Sequence, residues 1–254
     1  MMKKAFSLIL LVFLLVTVGC NNEYAGSSED NNKTNETEAV KNGKEDKDEK
    51  KEEAKLEIVD QTSGAWVDSI GSVWVHSAAV YKNTGNVPVD IGETQMTYKG
   101  NDGSVLGTST MIYSVPEIVQ PGETAFVGES TILDGQTDAN NFKETGYNFG
   151  FDQTSDDPTI LETSAVQGIK GDQYIPYKVT GMVKNTTKVK QDDIRLAAGL
   201  FDGAGKLVGV LTGSVDIGLN PSGEAGFDLS YPEIPKEAVD KIVKVEVKAY
   251  GFNF

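Results

Sequence analysis

The feature that most limits how this chain can fold is an internal repeat with a spacing of about 102 residues. Residues 80–84, VYKNT, recur as residues 182–186, MVKNT. Three further pairs follow in the same order: 101–107 with 203–209, 120–123 and Phe126 with 220–224 and Phe227, and 147–151 with 250–254. Four pairs in one order at nearly constant spacing indicate two copies of a single module.

The local pattern inside each repeat is that of β-structure. From Leu56 onward, short apolar runs are interrupted by Gly, Pro, Asn or Asp roughly every 8 to 12 residues, which is typical of a sandwich or barrel. Glycines in residues 101–103 and 202–205 predict hairpin turns, because glycine adopts the positive φ that such turns require. Each repeat has about 95 residues, the size of an immunoglobulin-like sandwich.

Two details are predicted for the end of the second repeat. Pro235 is placed to open a single helical turn within residues 234–241. Apolar residues then alternate with charged ones from Val243 to Ala249, and the alternation changes phase at Tyr250. This change predicts a β-bulge near Gly251.

The first residues of the chain have the pattern of an export signal. Lys3 and Lys4 precede an uncharged, mostly apolar stretch over residues 5–18, which ends at Gly19 and Cys20. The stretch is shorter than the roughly 20 apolar residues that a transmembrane helix needs, although a permanent helical anchor is the alternative. Cys20 is the single cysteine of the chain, so no internal disulfide is expected.

Residues 17–20, TVGC, resemble the lipobox of bacterial lipoproteins, with Thr17 where that family usually has leucine. The resemblance implies cleavage between Gly19 and Cys20 and a diacylglyceryl group on the Cys20 sulfur. Lysine predominates among the cations and Arg195 is the only arginine, which is similar to lipoproteins of low-GC Gram-positive bacteria. The implied location is the extracytoplasmic face of the cell membrane, with the lipid as the membrane contact.

The polar stretch after Cys20 is predicted to be a disordered tether, because it has almost no large apolar residue to bury. The predicted organisation is therefore a signal peptide over 1–19, a lipidated tether over 20–55, and two β-sandwich repeats over 56–152 and 160–254. The fold class is all-β, with two tandem immunoglobulin-like β-sandwich domains.

The second repeat also resembles the FxLYD domain, a module of bacterial surface proteins and lipoproteins. Matching residues are 183–186, VKNT, and 200–202, LFD, with Gly205, Val208 and Gly209. Ala198 stands in place of the first Phe of the motif, Phe201 in place of its Tyr, and the first repeat is more degenerate. Such motifs consist mainly of turn and core residues, so the resemblance implies a fold more than an activity.

Charge and residue types exclude several classes of function. A formal net charge of −15 argues against nucleic-acid binding, which depends on clustered Lys and Arg. His76 is the only histidine and lies in an apparent strand, so it is interpreted as a structural or solvent-facing residue and not as a catalytic base. With one His and a lipidated Cys, no zinc site and no other cofactor are predicted.

Acidic residues leave one weak metal hypothesis open. Asp152, Asp156 and Asp157 are crowded at the junction of the two repeats, where carboxylate oxygens could hold Ca²⁺. Their spacing matches no known calcium loop, so a solvated linker is the preferred interpretation.

Aromatic side chains provide the candidate contact surface. Trp66, Trp74, Tyr174 and Tyr177 are predicted to contact an extracellular protein or wall component, with core packing as the alternative. The favoured function is a non-enzymatic binding or adaptor lipoprotein. A structural spacer or accessory subunit of an envelope complex remains open. So does a wall hydrolase that uses two carboxylates about 5 to 9 Å apart.

Overall fold

The computed structural model describes residues 52–172 and 174–254. The first repeat contains β1 (Leu56–Val67), β2 (Val73–Asn83), β3 (Val89–Gly100), β4 (Val105–Ile112), β5 (Ile118–Val119), β6 (Thr124–Ile132) and β7 (Phe142–Gln153), with a 3-10 turn at Ala139–Asn141. The second contains β8 (Glu162–Lys170), β9 (Tyr177–Lys184), β10 (Asp193–Phe201), β11 (Leu207–Val215), β12 (Glu224–Leu229), α1 (Lys236–Val239) and β13 (Lys244–Phe252). The signal peptide, the cleavage site, Cys20 and the tether as far as residue 51 lie outside the described residues.

The strands form four antiparallel sheets, two in each repeat. In the first repeat, sheet A has the order β1-β2-β6, and sheet B has the order β4-β3-β7 with β5 beside β3. In the second repeat, sheet D has the order β12-β9-β8 and sheet C the order β11-β10-β13. Buried side chains from sheets A and B share one core, and those from sheets C and D share another. The all-β, β-sandwich prediction is confirmed.

The repeat is visible in individual hydrogen bonds. Asn83 ends β2, and its side-chain amide donates to the carbonyls of Val87 and Val119, both at 2.8 Å. Asn185, directly after β9, donates in the same way to Val189 and Leu219, also at 2.8 Å. Each fully buried asparagine therefore joins the loop that follows its strand to a second loop of the same sandwich. The aligned segments 80–84 and 182–186 are structural equivalents.

The predicted turns and helical turn are also present. Gly103 and Gly205 have φ values of 82° and 77° in the turns between β3 and β4 and between β10 and β11. Each glycine N–H donates to a carbonyl three residues earlier. Pro235 precedes the single turn α1. These local features follow from residue chemistry, and the sequence places all of them correctly.

One of the aligned aromatic pairs is not a structural equivalent. Phe126 pairs with Val80 on the outward face of sheet A, whereas Phe227 pairs with Gly181 and packs in the core of the second sandwich. The ladder positions show that Phe126 corresponds to Gly226, since Val80 corresponds to Met182. A difference of one residue in spacing moves a strand side chain to the opposite face.

The predicted bulge near Gly251 is wrong, because β10 and β13 pair without a register shift from Phe201 and Lys244 to Asp193 and Phe252. The phase change has another cause. Val245, Val247 and Ala249 face the core of the second sandwich, while Tyr250 and Phe252 face the other way and pack against the first sandwich. Tyr250 is buried and Phe252 half-buried on the face that alternation alone assigned to solvent.

The two sandwiches pack face to face through sheets A and C. An apolar cluster joins the two outward faces; it consists of Ala78, Val80, Val115 and Phe126 from the first sandwich and Ala197, Leu207, Val210 and Tyr250 from the second. Gly128 and Gly199 allow the close approach, since a Cβ on Gly128 would lie 2.8 Å from the Val210 Cβ and one on Gly199 would lie 2.8 Å from the Phe126 Cζ. All described residues belong to one compact unit.

The start of the described chain is attached to one end of the first sandwich. Lys55 O accepts hydrogen bonds from the N–H groups of Thr84 and Gly85, and Glu53 O accepts one from Asn86. These backbone hydrogen bonds begin at Glu53, a few residues before β1, and the Glu52 side chain also accepts one from the Gln153 amide at 2.8 Å. Within the described residues, no helix has the length and apolar character needed to cross a membrane.

Candidate functional site

A cleft opens between the hairpin end of β1 and β2 and the second sandwich. Its larger part has a volume of about 630 Å³ and is bordered by residues 62–67 of β1 and by Pro235, Glu237 and Lys241 of the second sandwich. An adjoining part of about 410 Å³ is bordered by Trp66, Trp74, Tyr174, Glu233 and Lys236. Both parts share Trp66, Val67 and Glu237, and together they are named the Trp cleft.

Trp66 and Trp74 form the aromatic surface of the Trp cleft. They are directly opposite each other in the β1–β2 ladder, with ring centroids 6.2 Å apart and an interplanar angle of 18°. The indole N–H of Trp74 donates to Asp68 Oδ2 at 3.0 Å, and Asp68 Oδ1 accepts from the backbone N–H groups of Ile70 and Ser72. The hairpin turn therefore fixes the orientation of the half-buried Trp74.

Asp68 retains its negative charge beside the two indole rings. Its hydrogen bond from Trp74, followed by those from the turn N–H groups, lowers the pKa of the carboxyl group. The carboxylate oxygens accept these bonds only in a fixed geometry of residues 68–72. The local sequence thus couples turn conformation, ring orientation and charge at one place.

Tyr174 enters the Trp cleft from the second sandwich. It lies in the loop between β8 and β9 and is 70% exposed. Asp172 Oδ1 accepts hydrogen bonds from the N–H groups of Tyr174 and Ile175, at 2.8 and 3.0 Å, which shapes this loop. Ile70 and Ile175, in the same two hairpins, are also exposed.

Tyr177 does not belong to this surface, which corrects its inclusion among the contact residues. It is only 6% exposed and packs in the core of the second sandwich. The inward register of β9 at this position explains its burial, and its hydroxyl lies against Gly168. Trp66, Trp74 and Tyr174 are brought together, and Tyr177 is not.

His76 lies at the inner wall of the Trp cleft, between the sandwiches, and is 1% exposed. The Val210 N–H donates to His76 Nε2 at 3.4 Å, so the ring proton is on Nδ1, which donates to Ser130 Oγ at 2.9 Å. The Ser130 hydroxyl donates in turn to the carbonyl of Glu233. Burial lowers the pKa of His76 to about 3, so the ring is neutral in the folded protein.

The hydrogen bonds of His76 assign it a structural place in the fold. They connect β2 and β6 of the first sandwich to β11 and the segment before α1 in the second. Both ring nitrogens are used, and the ring does not face solvent. Of the two interpretations of His76 from sequence, the structural one fits these contacts.

Further polar contacts support the same interface. The backbone N–H of Leu207 donates to Asp60 Oδ2 at 2.9 Å, and Arg195 lies 3.3 Å from Glu117. Burial raises the pKa of Glu117, against a smaller opposing effect of the Arg195 charge. The sandwiches are thus joined by an apolar centre with hydrogen bonds and an ion pair around it.

The three aspartates of the calcium hypothesis do not assemble into a site. The charges of Asp152 and Asp156 contribute to a raised pKa at Asp90, for which burial is the larger cause, whereas Asp157 lies 3.4 Å from the Gln120 amide. Among the described residues, no group of three or more His, Cys, Asp or Glu side chains is placed to share a metal ion.

The charged residues around the Trp cleft were not found by sequence reasoning. They are the carboxylates Asp68, Asp202, Glu233 and Glu237 and the ammonium groups Lys236 and Lys241. Acidic groups therefore outnumber basic ones. Most of these residues lie about 170 positions after Trp66, and no spacing rule connects them to it. The Trp pair did have a signal, since Trp66 and Trp74 lie symmetrically about a turn with Asp68 and Gly71.

Comparisons with known proteins give no assignment. No family model matches the chain, and no curated protein matches it. One similar solved structure is a calcium-binding mutant of Bacteroides uniformis beta-glucuronidase 2, at 11% identity and a TM-score of 0.21. The alignment covers 78% of this chain and 30% of that chain, so this protein spans about a third of its length. A TM-score this low carries no argument, and the FxLYD resemblance stays a prediction.

Proposed function

We propose that this protein is a non-enzymatic binding or adaptor lipoprotein of a Gram-positive bacterium, held outside the cell membrane by lipid on Cys20. The observation that carries the binding role is the stacked pair of Trp66 and Trp74 in an open cleft between two firmly joined sandwiches. Aromatic side chains offer large contact area at low entropic cost, and clefts between domains are common binding sites.

The position of the Trp cleft supports binding of an external partner. The tether joins the fold near Leu56, which pairs with Asn83 at one end of the β1–β2 ladder, whereas Trp66 pairs with Trp74 near the other end. A 12-residue strand spans about 36 Å. The cleft therefore lies at the end of the β1–β2 ladder opposite to Leu56, where the described chain enters the fold.

The surroundings of His76 support binding over histidine-dependent hydrolysis. A general base must reach the proton that it removes, and both nitrogens of this ring are held in hydrogen bonds between the sandwiches. The neutral, buried ring instead joins the elements that border the cleft.

The binding role can be tested in living cells by site-specific photo-crosslinking in the full chain. A photoreactive amino acid at Tyr174 should give a defined adduct with a partner, and Trp66→Ala should abolish it. The matched control places the same amino acid at exposed Asn148 on the outer face of sheet B. Equal adducts at both positions, or an adduct indifferent to Trp66→Ala, would contradict the proposal.

The anchor has a separate test. Metabolic labelling with a fatty-acid probe should label the wild-type chain and not Cys20→Ala, and the variant should appear in the medium. Because Cys20 is the only cysteine, no second thiol can take up the label. An unlabelled wild-type chain that still sediments with membranes would show that attachment does not depend on lipid at Cys20.

A further inference from the structure

The indole rings of the Trp cleft have no cation over them, whereas several other aromatic rings of the described fold do. Arg195 lies over Phe252 and Tyr113, Lys244 over Phe201, and Lys248 over Phe126, with distances of 4.8 to 5.6 Å. Over the described part of the chain, none of these cation–π contacts involves Trp66, Trp74 or Tyr174. Tryptophan has the ring that binds cations most strongly, so the best cation acceptors lack an internal cation.

Charge at the Trp cleft favours the same kind of ligand. Glu233 and Glu237 are exposed at its rim, and neither has an ion-pair partner within 4.0 Å among the described residues. Asp68 adds a third carboxylate beside the indoles. The Lys236 ammonium is close enough to Asp240 to lower the pKa of that carboxyl, as a minor cause after Lys170, so part of its charge is compensated outside the cleft.

We propose that the Trp cleft binds a lysine or arginine side chain of a partner polypeptide, with the cation between the indole rings and the carboxylates of Glu233 and Glu237. This inference rests on the proposed binding function and specifies its ligand. Exposed Val67, which borders both parts of the cleft, provides an apolar contact for a residue next to the cation. A net charge of −15 disfavours an anionic polymer as the occupant and favours a basic one.

The chain provides a direct readout of this inference. Trp66 and Trp74 are its only tryptophans, so intrinsic tryptophan fluorescence reports on the Trp cleft alone. The full chain, purified in detergent, would be titrated with a blocked pentapeptide that has leucine on each side of a central lysine. The comparison peptide carries ε-acetyl-lysine instead, which has similar size and no charge. A neutral oligosaccharide serves as a third probe.

The lysine peptide should change the fluorescence saturably, and the acetylated peptide should bind about 5- to 30-fold more weakly because it lacks the cation. Affinity for the lysine peptide should fall as salt rises, since exposed charges are screened. Equal affinity for both peptides, or saturation by the oligosaccharide alone, would overturn the cation inference and leave the binding function standing. No response to any probe would also overturn the cation inference. The binding function is tested separately by the crosslinking experiment at Tyr174.

Variants locate the interaction at the cleft. The double variant Glu233→Gln and Glu237→Gln keeps side-chain size, removes two charges, and should weaken lysine-peptide binding about five-fold or more. Glu144→Gln, at an exposed position on β7, is the matched control and should bind like the wild type. If the double variant also binds like the wild type, the carboxylates do not hold the cation and the inference is wrong.

Discussion

The folded protein should lose stability in mild acid, because His76 takes up a proton there only in the unfolded chain. The pKa of the ring falls from 6.5 to about 3 because burial disfavours the charged form. The unfolded chain therefore binds a proton at a higher pH than the folded chain does. The free energy of unfolding has its full His76-related value above about pH 6.5, and it decreases as the pH falls from there towards 3.

The magnitude at pH 4.5 follows from the unfolded pKa alone. This pH is about two units below 6.5, and each unit corresponds to about 1.4 kcal/mol, so the loss is about 2.7 kcal/mol. The folded pKa hardly affects this value, because the folded ring is still neutral at pH 4.5. A state in which the sandwiches separate and expose His76 would gain the same amount.

Denaturant unfolding of the wild type and His76→Gln at several pH values between 7 and 4.5 would measure the effect. Carboxylates titrate in both proteins, so the difference between the two pH dependences isolates His76. The variant should lose stability at pH 7, because Ser130 and the Val210 N–H lose their partner, yet show a slope smaller by about 1.4 kcal/mol per pH unit below 6.

An independent observation comes from NMR, since the chain has one histidine and its ring signals are unambiguous. The ring should show no titration between pH 7 and 4.5 and should carry its proton on Nδ1. A midpoint near 6.5, or identical pH dependences for wild type and His76→Gln, would refute the assignment of this ring as a buried neutral contact between the sandwiches.

Two further predictions concern backbone and packing. Ser222 has a φ of 68°, whereas Gly122 takes the equivalent position in the first repeat with a φ of 85°. Because glycine adopts positive φ without strain, Ser222→Gly should raise the free energy of unfolding by about 1 kcal/mol, and Gly122→Ser should lower it by a similar amount. Thermal unfolding measures both changes. A Cβ on Gly128 would collide with Val210, so Gly128→Ala should lower the free energy of unfolding by about 1 to 3 kcal/mol. A Cβ on Gly150 would meet open space, so the control Gly150→Ala should change the free energy of unfolding by under about 0.5 kcal/mol.

The parts of the fold that depend on local chemistry could be predicted from sequence. The hairpin glycines Gly103 and Gly205 and the helical turn after Pro235 are set by residues within a few positions, and the repeated KNT segments place Asn83 and Asn185 at equivalent positions. Strand alternation likewise shows which residues of β13 face its own core. It assigns the opposite face to solvent, because in a single sandwich that face is wet.

That assumption fails where a second sandwich covers the sheet. Phe126 and Tyr250 are buried on outward faces, and an alignment based on residue type pairs each with a core residue of the other repeat. The Trp cleft is a product of the same packing. Its floor comes from β1 and β2, and its wall from residues that are adjacent only after sheets A and C have stacked.

The two sandwiches stack head-to-tail through sheets A and C. Sheet A of the first repeat corresponds to sheet D of the second, and sheet B corresponds to sheet C, so the contact joins two non-equivalent faces. A contact of that kind could continue into a fibre if the equivalent faces were also apolar. On sheet D, however, the positions of His76 and Ala78 are taken by Lys178 and Thr180, and Lys178 pairs with Asp228 at 3.2 Å.

The outer face of sheet B is likewise more polar than the equivalent outer face of sheet C. Exposed Gln95 and half-buried Thr97 and Lys99 stand where sheet C has Ala197, Gly199 and Phe201, since the turn glycines Gly103 and Gly205 align the two strands. Each repeat thus has one apolar outer face and one polar outer face, and only the apolar ones meet. The hairpin with Trp66 and Trp74 lies outside this buried pair of faces and borders the open Trp cleft.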